Sequence, residues 1–247
     1  EDGHSHLWSG AIPNCVSYDP TFSYELAVIV QDGLRRMYAE QEDIYYYLTV
    51  MNENYEHPEM PAGAEADILK GMYSFRQGAA SNGPRVQLLG SGTIFREVIA
   101  AADMLRKDWG VESDLWGCPS FTELAREGQA NARWNLLHPT EKQKLSHVES
   151  CLKDTRGPVI AATDYVKLFA EQIRAFVPRR YVVLGTDGFG RSDTREKLRH
   201  FFEVDRNWVT VAALKALADE GQLDRSKVAE AIAKYGLDVN KPNPMTV

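Results

Sequence analysis

The sequence predicts an α/β protein whose sheet is largely parallel and covered by helices on both faces. Short apolar runs with strand composition alternate along the 247 residues with longer stretches whose apolar residues recur at helical spacing. Turn-forming glycine, proline and asparagine separate these segments. Strands that are joined through helices run parallel, and both faces of such a sheet are buried. A hydrophobic fraction of 44% is enough for one large or two modest domains.

The first strands and helix are expected between residues 15 and 50. Residues 15–18 form a short extended run that Asp19 and Pro20 end. Thr21 or Ser23 can open a helix that continues to about residue 37, because apolar side chains recur every three or four positions. Residues 44–50 are rich in tyrosine, threonine and branched aliphatic side chains, which is typical of a strand.

A domain boundary is predicted in the segment 51–63. Asn52, Asn54, Pro58 and Pro61 crowd into it, and this composition is typical of a linker. We therefore divide the chain into residues 1–60 and residues 61–247.

The second part repeats the alternation of strands and helices. Strands are expected at residues 86–89, 114–118, 159–162 and 182–184, and helices at 94–107, 208–220 and 226–235. Ser120 and Glu123 form a capping-box pattern, in which each side chain bonds the other residue's backbone amide. Residues 193–196 resemble a second helix start, and Asp224 is a predicted N-cap.

Charge and cysteine content restrict the classes of partner. The chain has 35 acidic against 28 basic residues and a formal net charge of -7, which argues against nucleic acid or an anionic membrane as a partner. No apolar run approaches the roughly 20 residues that span a bilayer. The three cysteines, Cys15, Cys118 and Cys151, show no spacing of a metal site or a disulfide framework, so a cytoplasmic location is expected.

The N-terminal hexapeptide Glu-Asp-Gly-His-Ser-His is the densest group of chemically active side chains. Imidazole exchanges protons near pH 7 and stabilises oxyanions, so His4 and His6 are candidate catalytic residues. On a strand the two side chains would share a face, and on a loop they could converge. A solvated, flexible chain end is the alternative. The abrupt start also leads us to expect a piece of a longer protein.

The remaining candidates are weaker. Residues 90–92, Gly-Ser-Gly, lie between a strand and a helix and can offer amides to a phosphate, but a tight turn without ligand is the favoured interpretation. The loop from Gly185 to Asp193 could bind an anion through Arg191 and the start of the following helix. It contains Asp-Gly, but Asn207 follows too soon for a metal–diphosphate motif, so a rigid loop at a domain edge or subunit contact is favoured. The other histidines are interpreted as structural or surface residues, and Cys118 has no nearby base.

Several segments, in order along the whole chain, together resemble one known family. They are the hexapeptide with Ile-Pro-Asn-Cys at 12–15, Tyr-Tyr-Tyr-Leu-Thr at 45–49 leading into Asn-Glu-Asn-Tyr at 52–55, Val-Gln-Leu-Leu-Gly-Ser-Gly at 86–92, Ser-Phe-Thr-Glu-Leu-Ala-Arg at 120–126, Thr-Asp-Tyr-Val-Lys-Leu-Phe-Ala-Glu-Gln at 163–172, and the loop at 185–193. The family is the large homodimeric bacterial type of pyruvate-decarboxylating subunit in pyruvate dehydrogenase complexes.

The resemblance implies a fold, an activity and partners. Residues 1–60 would end a thiamine-diphosphate-type pyrimidine-binding middle domain, and residues 61–247 would form a transketolase-like C-terminal domain. The intact enzyme would be a cytoplasmic homodimer that decarboxylates pyruvate with thiamine diphosphate and magnesium, and then acetylates the lipoyl group of an acyltransferase.

The resemblance also implies how the chemistry is divided. The family's cofactor- and metal-binding motifs lie upstream of Glu1, so no cofactor or metal ligands are expected in this chain and the fragment alone should be inactive. One histidine of the hexapeptide would face the substrate side of the cofactor, and the choice between His4 and His6 stays open. Two alternatives remain, namely another transketolase-like thiamine enzyme and a non-catalytic α/β interaction or dimerisation module.

Overall fold

The N-terminal part of the fold is a small α/β unit around two strands. The computed structural model describes residues 2–247, and Glu1 lies outside the described residues. The elements are α1 (Ser5–Gly10), β1 (Cys15–Tyr18), α2 (Ser23–Leu34) with a π-helical turn (Arg35–Ala39), and β2 (Tyr45–Leu48). Strands β1 and β2 pair in parallel, with Cys15 opposite Tyr45. All four residues of β1 are buried.

The rest of the described chain builds a five-stranded sheet and its covering helices. In chain order the elements are α3 (Glu65–Lys70), β3 (Tyr73–Arg76), β4 (Arg85–Gly90), α4 (Ile94–Trp109), β5 (Glu112–Gly117), α5 (Phe121–Leu137), α6 (His147–Leu152), β6 (Val159–Ala162), α7 (Lys167–Glu171), β7 (Tyr181–Leu184), α8 (Arg195–Phe201), α9 (Arg206–Asp219) and α10 (Arg225–Lys234), with 3-10 turns at Arg174–Phe176 and Pro244–Thr246. The strand order is β3-β5-β4-β6-β7. Every pairing is parallel except that of β3 with β5.

Apolar side chains of this sheet alternate between two buried layers, as expected for a sheet that is covered on both faces. In β4, Leu88 points into a core formed with α4 and α9, and Leu89 points into the opposite core with α5 and α7. Both leucines have no exposed surface. The predicted α/β class with a mostly parallel sheet is therefore confirmed.

Helix α5 joins the two parts of the fold through Arg126. Its guanidinium donates hydrogen bonds to the carbonyl oxygens of Cys15 at 2.7 Å, Ile12 at 2.8 Å and Gly10 at 3.2 Å. Phe22, at the start of α2, packs against Phe95 of α4 inside the same core. The segment 49–61 between the two parts has no regular secondary structure.

Helix starts differ in detail from the sequence-based predictions. Ser120 Oγ accepts the Glu123 amide at 3.0 Å, but the Glu123 carboxylate pairs with Arg126 at 2.8 Å, so the predicted capping box is only half formed. Thr194, and not Asp193, caps α8. Asp224 caps α10 as predicted, by accepting the Ser226 amide at 2.8 Å.

Five of the helices and strands were not predicted, namely α1, α3, β3, α6 and α7. For α1 the prediction of a strand or a loop was wrong. Within residues 2–247 no helix combines the length and the apolarity that crossing a membrane requires.

Candidate functional site

The hexapeptide folds into the start of α1 rather than a strand. Asp2 Oδ1 accepts the backbone amides of His4 at 3.1 Å and Ser5 at 3.0 Å, which satisfies two of the free donors at the helix start. A helix advances about 100° per residue, so positions two apart point to roughly opposite sides. His4 is therefore exposed and His6 is fully buried.

Aromatic rings enclose the imidazole of His6. Phe169 stacks on it with ring centroids 4.7 Å apart, and Tyr165 and Tyr47 meet it edge-on at 4.5 and 5.4 Å. Burial lowers the pKa of His6 to about 4, although the charge of Asp2 opposes this shift. His6 is thus a neutral, solvent-inaccessible side chain near pH 7.

A line of polar side chains runs from His6 across the interior. His6 Nε2 lies 2.9 Å from Thr49 Oγ1, and Thr49 Oγ1 lies 2.8 Å from Asp19 Oδ1. Ser91 Oγ donates to Asp19 Oδ2 at 2.9 Å and lies 3.1 Å from Thr163 Oγ1. We call these five residues the buried polar chain.

Asp19 is the ionisable centre of the buried polar chain. Burial raises the pKa of Asp19 to about 7, and the hydrogen bonds from Thr49 and Ser91 only partly counteract this. In the sequence, Asp19 was predicted only to end a strand. Its position directly after a buried strand was the available signal, because such positions meet at one edge of a parallel sheet.

Asp19 also packs against the Gly-Ser-Gly turn at 90–92. The Gly92 amide donates to the Asp19 backbone oxygen at 3.0 Å. Gly92 has φ +51, and a Cβ there would lie 2.5 Å from Asp19 Oδ2, so no larger residue fits. The turn is packed by the protein itself, in agreement with the favoured interpretation of a tight turn without a phosphate.

The loop at 185–193 lies beside the hexapeptide. Val166 donates its amide to the Gly3 carbonyl oxygen at 3.0 Å, and Thr186 donates to the Tyr165 oxygen at 2.8 Å. Asp187 Oδ1 accepts the Lys167 amide at 2.9 Å. A cavity of about 130 Å³ lies between loop and hexapeptide, and its lining includes Asp2, Gly3, Asp164 and Arg191.

The four other histidines make local contacts. Their nearest polar partners are the Ser23 amide for His57 at 3.0 Å, the Trp134 carbonyl oxygen for His138 at 2.8 Å, the Met72 carbonyl oxygen for His147 at 2.8 Å, and Asp205 for His200 at 3.0 Å. Each contact lies away from His4 and His6 in the chain. Among residues 2–247, no three His, Cys, Asp or Glu side chains are arranged to hold a metal ion.

Family comparisons agree with this architecture. Residues 71–205 match the family described as the transketolase-like C-terminal domain, which is more than half of the chain. The chain belongs to this transketolase-like family. Residues 1–58 match the middle domain of the pyruvate dehydrogenase E1 component. This order corresponds to the C-terminal portion of a bacterial pyruvate dehydrogenase E1 component, so the predicted resemblance is confirmed.

The curated relatives of this transketolase-like chain that are most informative are all named pyruvate dehydrogenase E1 component. It is 81% identical to the pyruvate dehydrogenase E1 component of Cupriavidus necator, over 100% of this chain and 28% of that protein. Identity is 62% with the Pseudomonas aeruginosa protein and 56% with that of Escherichia coli K12, over 99% of the chain in both cases and 28% and 27% of the relatives. The chain thus spans little more than a quarter of these relatives.

Solved transketolases share the fold of this family member. A Pichia stipitis transketolase in complex with sedoheptulose-7-phosphate superimposes with a TM-score of 0.60 at 14% identity, over 90% of this chain and 28% of that one. The Campylobacter jejuni transketolase gives 0.58 at 17% identity, over 86% and 28%. At such low identity the likeness establishes the fold alone.

Proposed function

We propose that the intact protein decarboxylates pyruvate with thiamine diphosphate and magnesium, and passes the acetyl group to the lipoyl arm of an acyltransferase. The observation that carries this proposal is the 81% identity, along the whole chain, with a pyruvate dehydrogenase E1 component. The proposed enzyme is a homodimer and is cytoplasmic. The proposed domain boundary stays at residues 60 and 61.

The described residues do not fit an anchor for a metal-bound diphosphate. Among residues 2–247, no three His, Cys, Asp or Glu side chains form a group that could hold a metal ion, and Asp19 fills the glycine turn at 90–92. The carboxylate of Asp187 is bonded to the amide of Lys167. Thiamine diphosphate and magnesium are therefore proposed to bind to other parts of the protein, and this chain supplies only neighbouring side chains.

His4 is the better candidate to meet the substrate. Its side chain is exposed at the start of α1, whereas His6 is enclosed by aromatic rings. An imidazole beside a substrate carbonyl can donate a hydrogen bond to the oxygen on which negative charge develops. His6 is proposed to support this arrangement from inside the fold.

Substrate preference of the full-length protein tests the proposed activity. Its thiamine-diphosphate-dependent turnover is measured with pyruvate, 2-oxoglutarate and a ketose phosphate as substrates. Pyruvate should give the highest kcat/KM. If pyruvate is the poorest of the three, the chain belongs to a different transketolase-like enzyme and the assignment is wrong.

The isolated chain is proposed to be a non-catalytic module, because residues 2–247 hold no group of three or more His, Cys, Asp or Glu side chains that could bind the metal of the cofactor. Calorimetry of the chain with thiamine diphosphate and magnesium tests this point. Binding should be no tighter than about millimolar. Micromolar binding would show that a cofactor site exists within the chain after all.

A further inference from the structure

The buried polar chain lies where the carboxyl ends of parallel strands from the two sheets face each other. Asp19 follows β1 and Thr49 follows β2 in the small sheet, while Ser91 follows β4 and Thr163 follows β6 in the large sheet. The carboxyl ends of parallel strands are where α/β proteins build their functional sites. Within the buried polar chain, Thr49 is half-buried, and the other four residues are at most 4% exposed.

When Asp19 is ionised, the number of available protons fixes the direction of each hydrogen bond in the buried polar chain. An ionised carboxylate only accepts, so Thr49 must donate its single hydroxyl proton to Asp19. Thr49 Oγ1 then has only lone pairs to offer to His6 Nε2, so this nitrogen carries the ring proton. His6 Nδ1 is left as a bare lone pair, and it is a buried atom without a hydrogen-bond partner.

We propose that Asp19 is a positioning residue that, through Thr49, holds His6 as the neutral Nε2–H tautomer. A ring held in this way fixes helix α1, and with it the orientation of His4 at the start of that helix. The part that concerns His4 rests on the proposed function. The tautomer of His6 and its dependence on Asp19 do not.

The charge state of Asp19 controls this arrangement. Asp164 and Glu25 face it as further acidic groups and favour its protonation, whereas Thr49 and Ser91 favour its ionised form. Asp2 is the charged group that faces His6, and Tyr47 and Tyr165 are the titratable rings packed on it. A proton on Asp19 Oδ1 would donate to Thr49, which could then donate to His6 Nε2. Control of the tautomer should therefore weaken as pH falls through about 7.

Nitrogen-15 NMR of the full-length protein tests the tautomer directly. The protein is labelled at histidine and measured at pH 8 by magic-angle spinning, and the His6 signals are assigned by their loss in His6→Gln. The expected result is a neutral ring with the proton on Nε2. A proton on Nδ1, or a doubly protonated ring, overturns the proposal without any need for a folded Asp19 or Thr49 variant.

Three variants test the chain of contacts. Thr49→Val removes the hydroxyl, Asp19→Asn removes the charge, and Thr49→Ser keeps the hydroxyl as a matched control. In the first two, the single His6 tautomer should become a mixture, and kcat with pyruvate should fall about tenfold while KM changes by less than about threefold, since a modest misplacement of a reacting group is costly. Thr49→Ser should retain the wild-type spectrum and rate.

The outcomes separate the two hypotheses. If the wild-type protein does not act on pyruvate, the proposed function fails, and the NMR result still decides the role of Asp19. If Thr49→Val folds and keeps both the tautomer and the rate, the positioning role is wrong whatever the substrate.

Discussion

Burial separates the chemistry of His4 from that of His6. The same residue type, two positions apart, is exposed in one case and enclosed by Phe169, Tyr165 and Tyr47 in the other. With a pKa of about 4, His6 stays neutral over the whole physiological range. Only His4 can meet a molecule from outside without a rearrangement of α1.

Replacement of His4 by alanine in the full-length enzyme should lower kcat with pyruvate by about a hundredfold, or about 3 kcal/mol, the usual effect of losing one preorganised donor. Affinity for thiamine diphosphate should stay within a few fold, because the proposed anchor lies elsewhere. Steady-state kinetics and cofactor titrations measure both quantities. His138→Ala is the control, since His138 is exposed and stacks only on Trp134. Normal turnover in His4→Ala would contradict the catalytic role.

Gly157 is required by a close backbone approach. It has φ +81, and a Cβ would lie 1.7 Å from the Arg85 carbonyl oxygen, so Gly157→Ala should cost more than about 3 kcal/mol in free energy of unfolding. Gly110 has φ +64, but a Cβ added to it would have no neighbouring atom within 4 Å. Gly110→Ala should therefore cost only the left-handed penalty of about 1–2 kcal/mol. Urea denaturation measures both, and equal losses would contradict the steric argument.

The irregular segment 49–61 is tied to helices α4 and α8 through the carboxylate of Glu53. Glu53 Oε2 accepts from Arg199 at 2.6 Å and Glu53 Oε1 accepts from Arg96 at 2.9 Å. Arg96 also lies over the Tyr55 ring, 4.2 Å from its centroid. Burial tends to raise the pKa of Glu53, but the bonds from Arg199 and Arg96 outweigh it and lower the pKa below 4.5.

Glu53→Gln should reduce the free energy of unfolding by about 1 kcal/mol at pH 7, a small loss because the pairs are partly solvated. A carboxyl whose pKa is depressed on folding contributes stability above its unfolded pKa, and this is lost as pH falls through the folded value. The difference between wild type and Glu53→Gln should therefore shrink below pH 4.5. Urea titrations at several pH values measure this difference in the free energy of unfolding. The control is Glu230→Gln, which removes a carboxylate from the exposed ion pair with Lys227. A difference that grows towards low pH would exclude this role of Glu53.

Local sequence patterns predicted most strands, but they failed where the structure depends on contacts between residues that are distant in the sequence. Strand β6 was predictable because Val159–Ala162 is a short apolar run between turns. Strand β3 was missed although Tyr73–Arg76 alternates aromatic with polar side chains, because the pattern covers only four residues and the strand is fixed by its pairing with β5. The contact of Asp19 with Thr49 spans 30 positions and exists only because β1 and β2 pair in register. No local spacing rule indicates such a pair.

The proposed domains share buried surface, which determines how the whole chain unfolds. Phe22 of the first part is 4% exposed and packs on Phe75 and Phe95 of the second. Arg126 adds three bonds to backbone oxygens across the same junction. Units that are joined in this way lose stability together.

Differential scanning calorimetry of the chain should therefore record one cooperative transition. Phe22→Ala should cost about 3–5 kcal/mol and lower the temperature of that single transition. Tyr38→Ala is the matched control in the same part of the chain, because Tyr38 is 74% exposed. Two separate transitions, in the wild type or in Phe22→Ala, would mean that residues 1–60 and 61–247 fold independently.

The border strand β3 affects how readily copies of the chain aggregate at high concentration. An open strand at the border of a sheet invites a strand from another molecule, and this is the first step towards aggregation. Here the border strand has only four residues, its register shifts between Ser74 and Arg76, and Arg76 is paired with Asp103 at 3.0 Å. A short, irregular and charged border strand is a poor template for a sixth strand from another molecule, so this side of the sheet resists fibril growth.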